Sequence, residues 1–401
     1  MTDVTITDVD THIVANPWKP WVFVRLHTDA GVTGLAEATL HGKPRTVATA
    51  VEEMSRYFVG ASPFETERLF LEMYRDEAYS DNAVNTTVIS AVDIACHDIQ
   101  AKLFEVPLYE LLGGAVHGDS VRAYANGWYT GTDGDPDAFA AAAERVVDDG
   151  YDAMKFDPFG TAWERMTRAE RNRALERVGA VREAVGPDVD LLIEGHGRFT
   201  PGVAVEVARD LEQFDPTWFE EPTPHDSVEG LRRVAAKSSV PVATGERRMS
   251  KYPFRDLLSE TDVDVLQPDL ANCGGITEGK KIAAMADAEH VSIAPHNPQG
   301  PIATAMYAHV CTSMPNFMIQ ETFVDYDVDW AVDLLEDPVR VEDGHLQIPD
   351  GPGLGVELNM DAVRDHEYEG MDQIDHIDLF ESNWEDRAMS DRDASAGGSD
   401  R

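Results

Sequence analysis

A chain of 401 residues with 43% hydrophobic content can fill the cores of one large α/β domain and a smaller one. Its 74 Asp and Glu against 33 Lys and Arg give a formal charge of -41, which argues against nucleic acid or an anionic membrane surface as a partner. The acids are scattered through most predicted helices, as suits a surface kept soluble in strong salt, and a halophilic source is expected.

The first residues, MTDVTITDVD, alternate like a strand and show no basic and apolar signal segment, and nowhere do about 18 apolar residues run together. Neither secretion nor a membrane span is expected. Cys96, Cys273 and Cys311 form no CxxC pair and no zinc spacing, so a reducing, cytoplasmic location is expected.

Residues 3–16, 21–28 and the run VTGLAEA read as an antiparallel meander, with Asp29-Ala30-Gly31 turning before the last strand. Helices are predicted at 44–59, 64–75 and 83–103, the last with Val88, Ala91, Val92, Ala95 and Ile99 on one face. Residues 1–118 are expected to form an α+β module, which Gly113-Gly114 brings to its end. From Val121 the pattern changes to βα repeats: VRAYANG, a helix from Pro136 to Asp149, DAMKF ending near Lys155 and Asp157, and a helix at about 169–185.

Six more short apolar runs follow: LLIEGH, WFEEP, VATGE, VLQPD, SIAPH and MIQET. Each closes on a residue able to bind a metal or move a proton, namely Glu194 with His196, then Glu220, Glu246, Asp269, His296 and Glu321, in steps of about 25 residues. That step is the length of one βα unit. With VRAYA and DAMKF the runs make eight strands, the number of a closed parallel barrel, here expected over 119–345. Residues 346–385 are expected to return to the first module, with 345–360 a long Gly- and Pro-rich loop, and 386–401 to be a disordered acidic tail.

Strand C-terminal ends converge on the mouth of such a barrel, so these polar residues are expected at one site. Glu194, Glu220 and Glu246 close three successive strands, and oxygen ligands of that kind suit Mg²⁺. One such Glu alone would more often be the ion-pair partner of an Arg or Lys; three at one period favour the metal. No thiolate or clustered imidazole accompanies them, which disfavours soft metals. Asp269 beside His296 makes that imidazole a candidate general base, where a lone histidine would be read as a core residue bonded to backbone. His196 could face the same cavity as an acid. Together with a cationic Lys155 the set suits removal of the proton next to a carboxylate, where positive charge must stabilise the enolate. Protonation of the neighbouring hydroxyl by His196 would then release water.

The ordered motifs KFDPFG, EGHGRF, FEEP, TGER, QPDLANCGGITEGKKIA, APHNPQGPIA and IQET resemble the mandelate racemase subgroup of the enolase superfamily, and within it the acid-sugar dehydratases of the galactonate and gluconate type. The early HTDAGVTGLAEATLHGKPRTV and the late GPGLGVEL resemble the same family's capping domain, so nearly the whole chain is covered. The resemblance implies a (β/α)7β TIM-like barrel with an α+β cap, Mg²⁺ on Glu194, Glu220 and Glu246, and Glu221 beside the metal site. It implies a base dyad of His296 with Asp269, His196 as general acid, and Glu321 hydrogen-bonded to the enolate. Lys155 matches the first lysine of the subgroup's KxK motif. Loops around Trp18 and His41 are expected to close over the substrate.

The chain departs from the pattern twice. The first metal ligand is Glu194 where the relatives carry Asp, and Asp157 replaces the second lysine of KxK. A racemase needs a base on each face of the substrate carbon, so the second change favours dehydration. The expected function is Mg²⁺-dependent dehydration of an aldonic acid, gluconate or galactonate first, to a 2-keto-3-deoxy acid. The alternatives are an acid-sugar epimerase or racemase, and a dehydratase for a pentonate such as xylonate or arabinonate. A scaffold without chemistry should lack a ligand or the base, and none is missing; a hydrolase barrel should show HxH at a strand end, and none occurs. Assembly into a homo-oligomer is expected, as barrels of this size often associate.

Overall fold

The computed structural model describes residues 3–77, 79 and 81–370. β1 (Ile6–Val14), β2 (Trp21–Thr28) and β3 (Thr33–Glu37) form the antiparallel meander in that order. Three helices follow, α1 (Pro44–Phe58), α2 (Thr66–Asp76) and α3 (Ala83–Phe104); α1 and α3 pack on the meander and α2 on those two helices. The apolar positions of α1, Val47, Val51, Met54 and Phe58, recur every three or four residues and are all buried. The Asn82 side chain starts α3 by accepting from the Asn85 N–H at 3.0 Å. Buried almost all round, α3 lies between the meander and the rest of the chain. The approach of β3 is so close that a Cβ on Gly34 would fall 2.2 Å from the Ala95 carbonyl oxygen. A short helix, α4 (Leu108–Leu111), follows.

Eight parallel strands come next: β4 (Ser120–Ala125), β5 (Ala153–Phe156), β6 (Asp190–Glu194), β7 (Trp218–Glu220), β8 (Val242–Thr244), β9 (Val265–Leu266), β10 (Ser292–Ile293) and β11 (Gln320–Thr322). Between them run α5 (Pro136–Asp148), α6 (Arg168–Val185), α7 (Pro201–Leu211), α8 (Val228–Ala235), α9 (Lys251–Glu260), α10 (Gly275–Ala288) and α11 (Pro301–Thr312). The ring closes because β11 pairs with β4, Glu321 against Tyr124, while Phe317 bridges to Ile293 of β10. The expected eight-stranded barrel is therefore present.

Tyr124, Ala153, Leu192, Trp218, Ala243, Val265, Ala294 and Ile319, one from each strand or its flank, form a separate buried cluster that fills the barrel. Tyr124 and Trp218 meet edge to face at 5.8 Å. Truncating a buried aromatic of this size costs about 3–5 kcal/mol.

The segment after β11 is less irregular than the sequence implies. A 3-10 helix at Asp329–Leu334 leads to β12 (Val341–Glu342) and β13 (His345–Gln347), and β13 pairs antiparallel with Ser120–Arg122 of β4. The expected loop therefore begins as a strand, because β4 offers His345–Gln347 a ladder that composition cannot reveal. Beyond it two backbone N–H groups reach the first module. Leu354 N–H donates to Asp98 of α3 at 2.8 Å, and Tyr368 N–H to Ile13 of β1 at 2.9 Å, with α12 (Met360–Asp365) between them. The tail expected at 386–401, and the end of the returning segment beyond 370, lie outside the described residues.

Candidate active site

Side chains alternate along a strand, so the residue two beyond a barrel-filling side chain faces inward again, one layer nearer the mouth. Two beyond Tyr124, Ala153, Leu192, Trp218, Ala294 and Ile319 stand Asn126, Lys155, Glu194, Glu220, His296 and Glu321. Glu246 arrives differently. Gly245 follows β8 at φ +142, and a Cβ there would fall 2.8 Å from the Phe254 ring and 3.0 Å from the Gln267 nitrogen. Only glycine fits that turn, which sets Glu246 beside the other two acids.

Glu194 and Glu220 pair in register across β6 and β7, and carboxylate oxygens of Glu194, Glu220 and Glu246 all lie within 4.8 Å of one another. Trp218 Nε1 donates to Glu220 Oε2 at 2.9 Å and fixes its plane. Lys155 Nζ donates to Glu220 Oε1 at 2.6 Å and lies 2.8 Å from Glu321 and 3.4 Å from Glu194. Burial works against the Lys155 charge, but Glu220 and Glu321 outweigh it and push the ammonium well above its usual range. Burial, then the Glu220 charge, pushes the Glu194 carboxyl well above the usual carboxylate range, with Lys155 opposing. Its Oε2 is buried and accepts no hydrogen bond. Three converging buried carboxylates, one with an oxygen lacking a donor, fit a hard divalent cation with oxygen preference.

The candidate base faces this trio. His296 Nδ1 lies 3.0 Å from Asp269 Oδ2, and its Nε2 lies 3.2 Å from Glu246 Oε2. Gln299 Nε2 at 2.7 Å and the Tyr307 hydroxyl at 3.0 Å donate to Asp269 and hold it in place. Burial disfavours the charged ring, yet Glu246 and Asp269 bring the His296 imidazole out above its ordinary value. For Glu246 the balance has the opposite sign: burial raises it, but His296 and Arg247 hold its carboxyl well below the usual range.

His196 follows β6 with φ +47, its N–H donating back to the Glu194 carboxylate. Its ring Nδ1 lies 2.6 Å from Asp157 Oδ2. Burial pushes this imidazole down to about 4, with Asp157 acting upward. Glu321 accepts from Asn126 Nδ2 at 2.7 Å and from the Asn297 N–H at 2.8 Å. Burial opposes its charge, but Lys155 and His296 prevail and hold the carboxyl below the usual range.

Trp18, His41, Lys155, Glu194, His196, Glu246, His296 and Glu321 line one cavity of about 290 Å³. Of the ten residues singled out in the sequence, the other two stand directly behind this wall, Glu220 under Lys155 and Asp269 behind His296. Trp18 packs 5.1 Å from Phe323, which follows β11, so the first module covers the mouth. Glu221 turns away and accepts from Thr244 and the Gly245 N–H. Lys155 is more deeply committed than the sequence implies, tied to carboxylates of the metal set and to Glu321. Asn126, Asn297, Gln299, Arg247 and Tyr129 were not singled out. The two-residue step from Tyr124 marks Asn126, and Asn297 and Arg247 adjoin His296 and Glu246. Gln299 and Tyr129 carry no such signal.

Residues 2–113 match the family described as mandelate racemase / muconate lactonizing enzyme, N-terminal domain, and residues 138–362 match the one described as enolase C-terminal domain-like. A D-gluconate dehydratase from Thermoproteus tenax is 41% identical over 84% of this chain and 68% of its own. A D-xylonate dehydratase from Haloferax volcanii is 38% identical over 92% of this chain and 90% of its own. A D-galactonate dehydratase from Xanthomonas oryzae pv. oryzae is 37% identical over 86% and 90%. The crystal structure of a mandelate racemase/muconate lactonizing enzyme from Sulfitobacter sp superposes with a TM-score of 0.87 at 31% identity, covering 92% of this chain and 97% of that one. The chain belongs to the mandelate racemase / muconate lactonizing enzyme family of the enolase superfamily.

Proposed function

We propose that the protein is a hydro-lyase that converts an aldonic acid to a 2-keto-3-deoxy acid and water, with gluconate and galactonate as first candidates. Relatives that are 35–41% identical over most of the chain are named dehydratases of these acids or of xylonate. The observation that carries the reading is the placement of His296 and His196 on one cavity with the carboxylate trio of Glu194, Glu220 and Glu246, and a fourth acid, Glu321, beside Lys155.

His296, held by Asp269, takes the proton from C2, and the C2–H bond breaks. Lys155 and the Asn126 side-chain amide, both held by Glu321, supply the positive charge and the donor at the carboxylate end, where negative charge builds up. A Mg²⁺ ion held by Glu194, Glu220 and Glu246 would supply positive charge beside that carboxylate and offset the Glu246 charge, which raises the His296 imidazole. His196 gives its proton to the C3 hydroxyl, the C3–O bond breaks, and water leaves. The anionic substrate favours the protonated ring when it arrives. The enol that remains takes a proton at C3, releases its C2 hydroxyl proton to solvent and becomes the keto acid. Solvent exchange at the two imidazoles restores the starting state.

Asp157 stands where a second base would be needed for racemisation, and its carboxylate is engaged by His196 and Arg198. That favours dehydration over epimerisation. A pentonate substrate is the second reading, favoured by the 38% identity to the Haloferax volcanii enzyme over 92% of the chain. The acid-rich composition supports a protein working at high salt and the three free cysteines a reducing, cytoplasmic location, and we extend the proposal to a homo-oligomer. None of the helices among the described residues is long and apolar enough to cross a membrane. A screen of aldonic acids with Mg²⁺ in concentrated salt, read as keto acid, tests the reading: product from a hexonate or pentonate supports it, and no product from any of them overturns it.

A further inference from the structure

We propose that Asp157 is the positioning residue for His196, fixing which ring nitrogen meets the substrate; the inference rests on the dehydratase reading. Asp157 follows β5, two residues after Lys155, and is 1% exposed. Both of its oxygens are fixed. Oδ1 accepts from the Phe159 N–H at 2.9 Å, and Oδ2 accepts from His196 Nδ1 at 2.6 Å and from Arg198 Nη2.

An ionised carboxylate only accepts, so the ring nitrogen facing it carries a hydrogen. With Nδ1 held by Asp157 and the ring lining the cavity, Nε2 is assigned to the substrate hydroxyl. The main chain leaves little freedom to undo this. His196 sits at φ +47 with its N–H on Glu194, and its carbonyl accepts from Arg247 Nη1 at 2.9 Å. A ring pinned at both ends keeps one face and one nitrogen toward the substrate hydroxyl. Replacing the second lysine of the KxK pattern by Asp thus removes a base from one face of C2 and installs a support for the acid.

Asp157→Asn keeps the shape but offers a donor as well as an acceptor, so the ring is no longer restricted to one tautomer. If Asp157 acts through His196, the variant is impaired in expelling the C3 hydroxyl and spared in C2 proton abstraction, which belongs to His296. The experiment incubates wild type and variant with Mg²⁺ and an aldonate that the wild type dehydrates, in D₂O. It follows keto-acid formation and deuterium entry at C2 of the remaining substrate. The expected result for Asp157→Asn is a keto-acid rate lower by on the order of 100-fold, with C2 exchange within a few-fold of wild type, so that the ratio of exchange to dehydration rises.

Equal loss of both rates in a variant with native circular dichroism, or an unchanged ratio, overturns the inference. Should Asp157→Asn fail to fold, Asp157→Glu keeps a carboxylate for Arg198 and shifts the acceptor by one methylene; it must raise the same ratio, and an unchanged ratio there is equally fatal. A wild type that forms no keto acid from any aldonate defeats the dehydratase reading itself, whereas failure of the Asp157 inference leaves wild-type dehydration intact.

Discussion

Glu37, the last residue of β3, accepts the Gly300 N–H at 2.7 Å and so ties the first module to the segment between His296 and α11. The same carboxylate accepts from the Ala303 N–H at 3.2 Å and the Thr39 hydroxyl at 2.6 Å, meeting amides of the first turn of α11 that have no partner within the helix. The loop that carries His296 is therefore held from the first module as well as from the barrel.

The burial of Glu37 gives stability a pH dependence of known sign. Burial raises the Glu37 carboxyl from 4.5 to about 7, with Thr39, the two amides and Lys19 opposing. A folded-state value above the unfolded one means that the folded chain binds the proton more tightly, so the stability Glu37 contributes is full below the unfolded value and is lost as pH rises toward about 7. The shift corresponds to on the order of 3 kcal/mol. Glu37→Gln does not titrate. Denaturant unfolding at pH 5 and pH 8 should show the variant gaining on wild type by roughly that amount across the interval, and parallel behaviour of the two proteins would contradict the assignment.

Metal binding should be visible without catalysis. A cation that binds only the folded state adds about 2.7 kcal/mol of stability at one hundred times its dissociation constant. Mg²⁺ should therefore raise the melting temperature of wild type and EDTA reverse it. In Glu194→Gln or Glu220→Gln the response should be lost or moved to much higher Mg²⁺. An undiminished response in both variants would place the ion elsewhere.

Salt should stabilise this chain over a wide range. With a formal charge of -41, repulsion among surface acids is strong in dilute buffer and screened over a few Å near 1 M salt. The melting temperature should climb from 0.1 M to about 2 M KCl, with activity following. Full stability at 0.1 M and no further gain would show that the acidic surface is not an adaptation to salt.

The barrel was legible because a period of one βα unit survives in sequence, and the site because most of its residues sit at a fixed two-residue step from a barrel-filling side chain. Glu194, Glu220, His296 and Glu321 all obey that step. Where a turn intervenes the step fails: Gly245 delays Glu246 by one residue, and Asp269 comes four residues after Val265. Pairings between distant segments leave no periodic trace. The Asp157 bond to His196 and the Glu37 bond to the Gly300 N–H depend on groups brought together from separate parts of the chain, and β13 depends on a partner more than 200 residues away. Asp157 could be seen as a departure from a pattern, but its partner could not.

The central claim is that one imidazole, His296, removes the C2 proton beside a divalent-metal site. Wild type and His296→Asn, each with Mg²⁺ and an aldonate in D₂O, should be compared by NMR for keto acid and for deuterium at C2 of the remaining substrate. The account predicts product from wild type, and for the variant a loss of about 10²- to 10⁴-fold in both product and C2 exchange. A variant that still exchanges the C2 proton, or still forms keto acid at the wild-type rate, would contradict it.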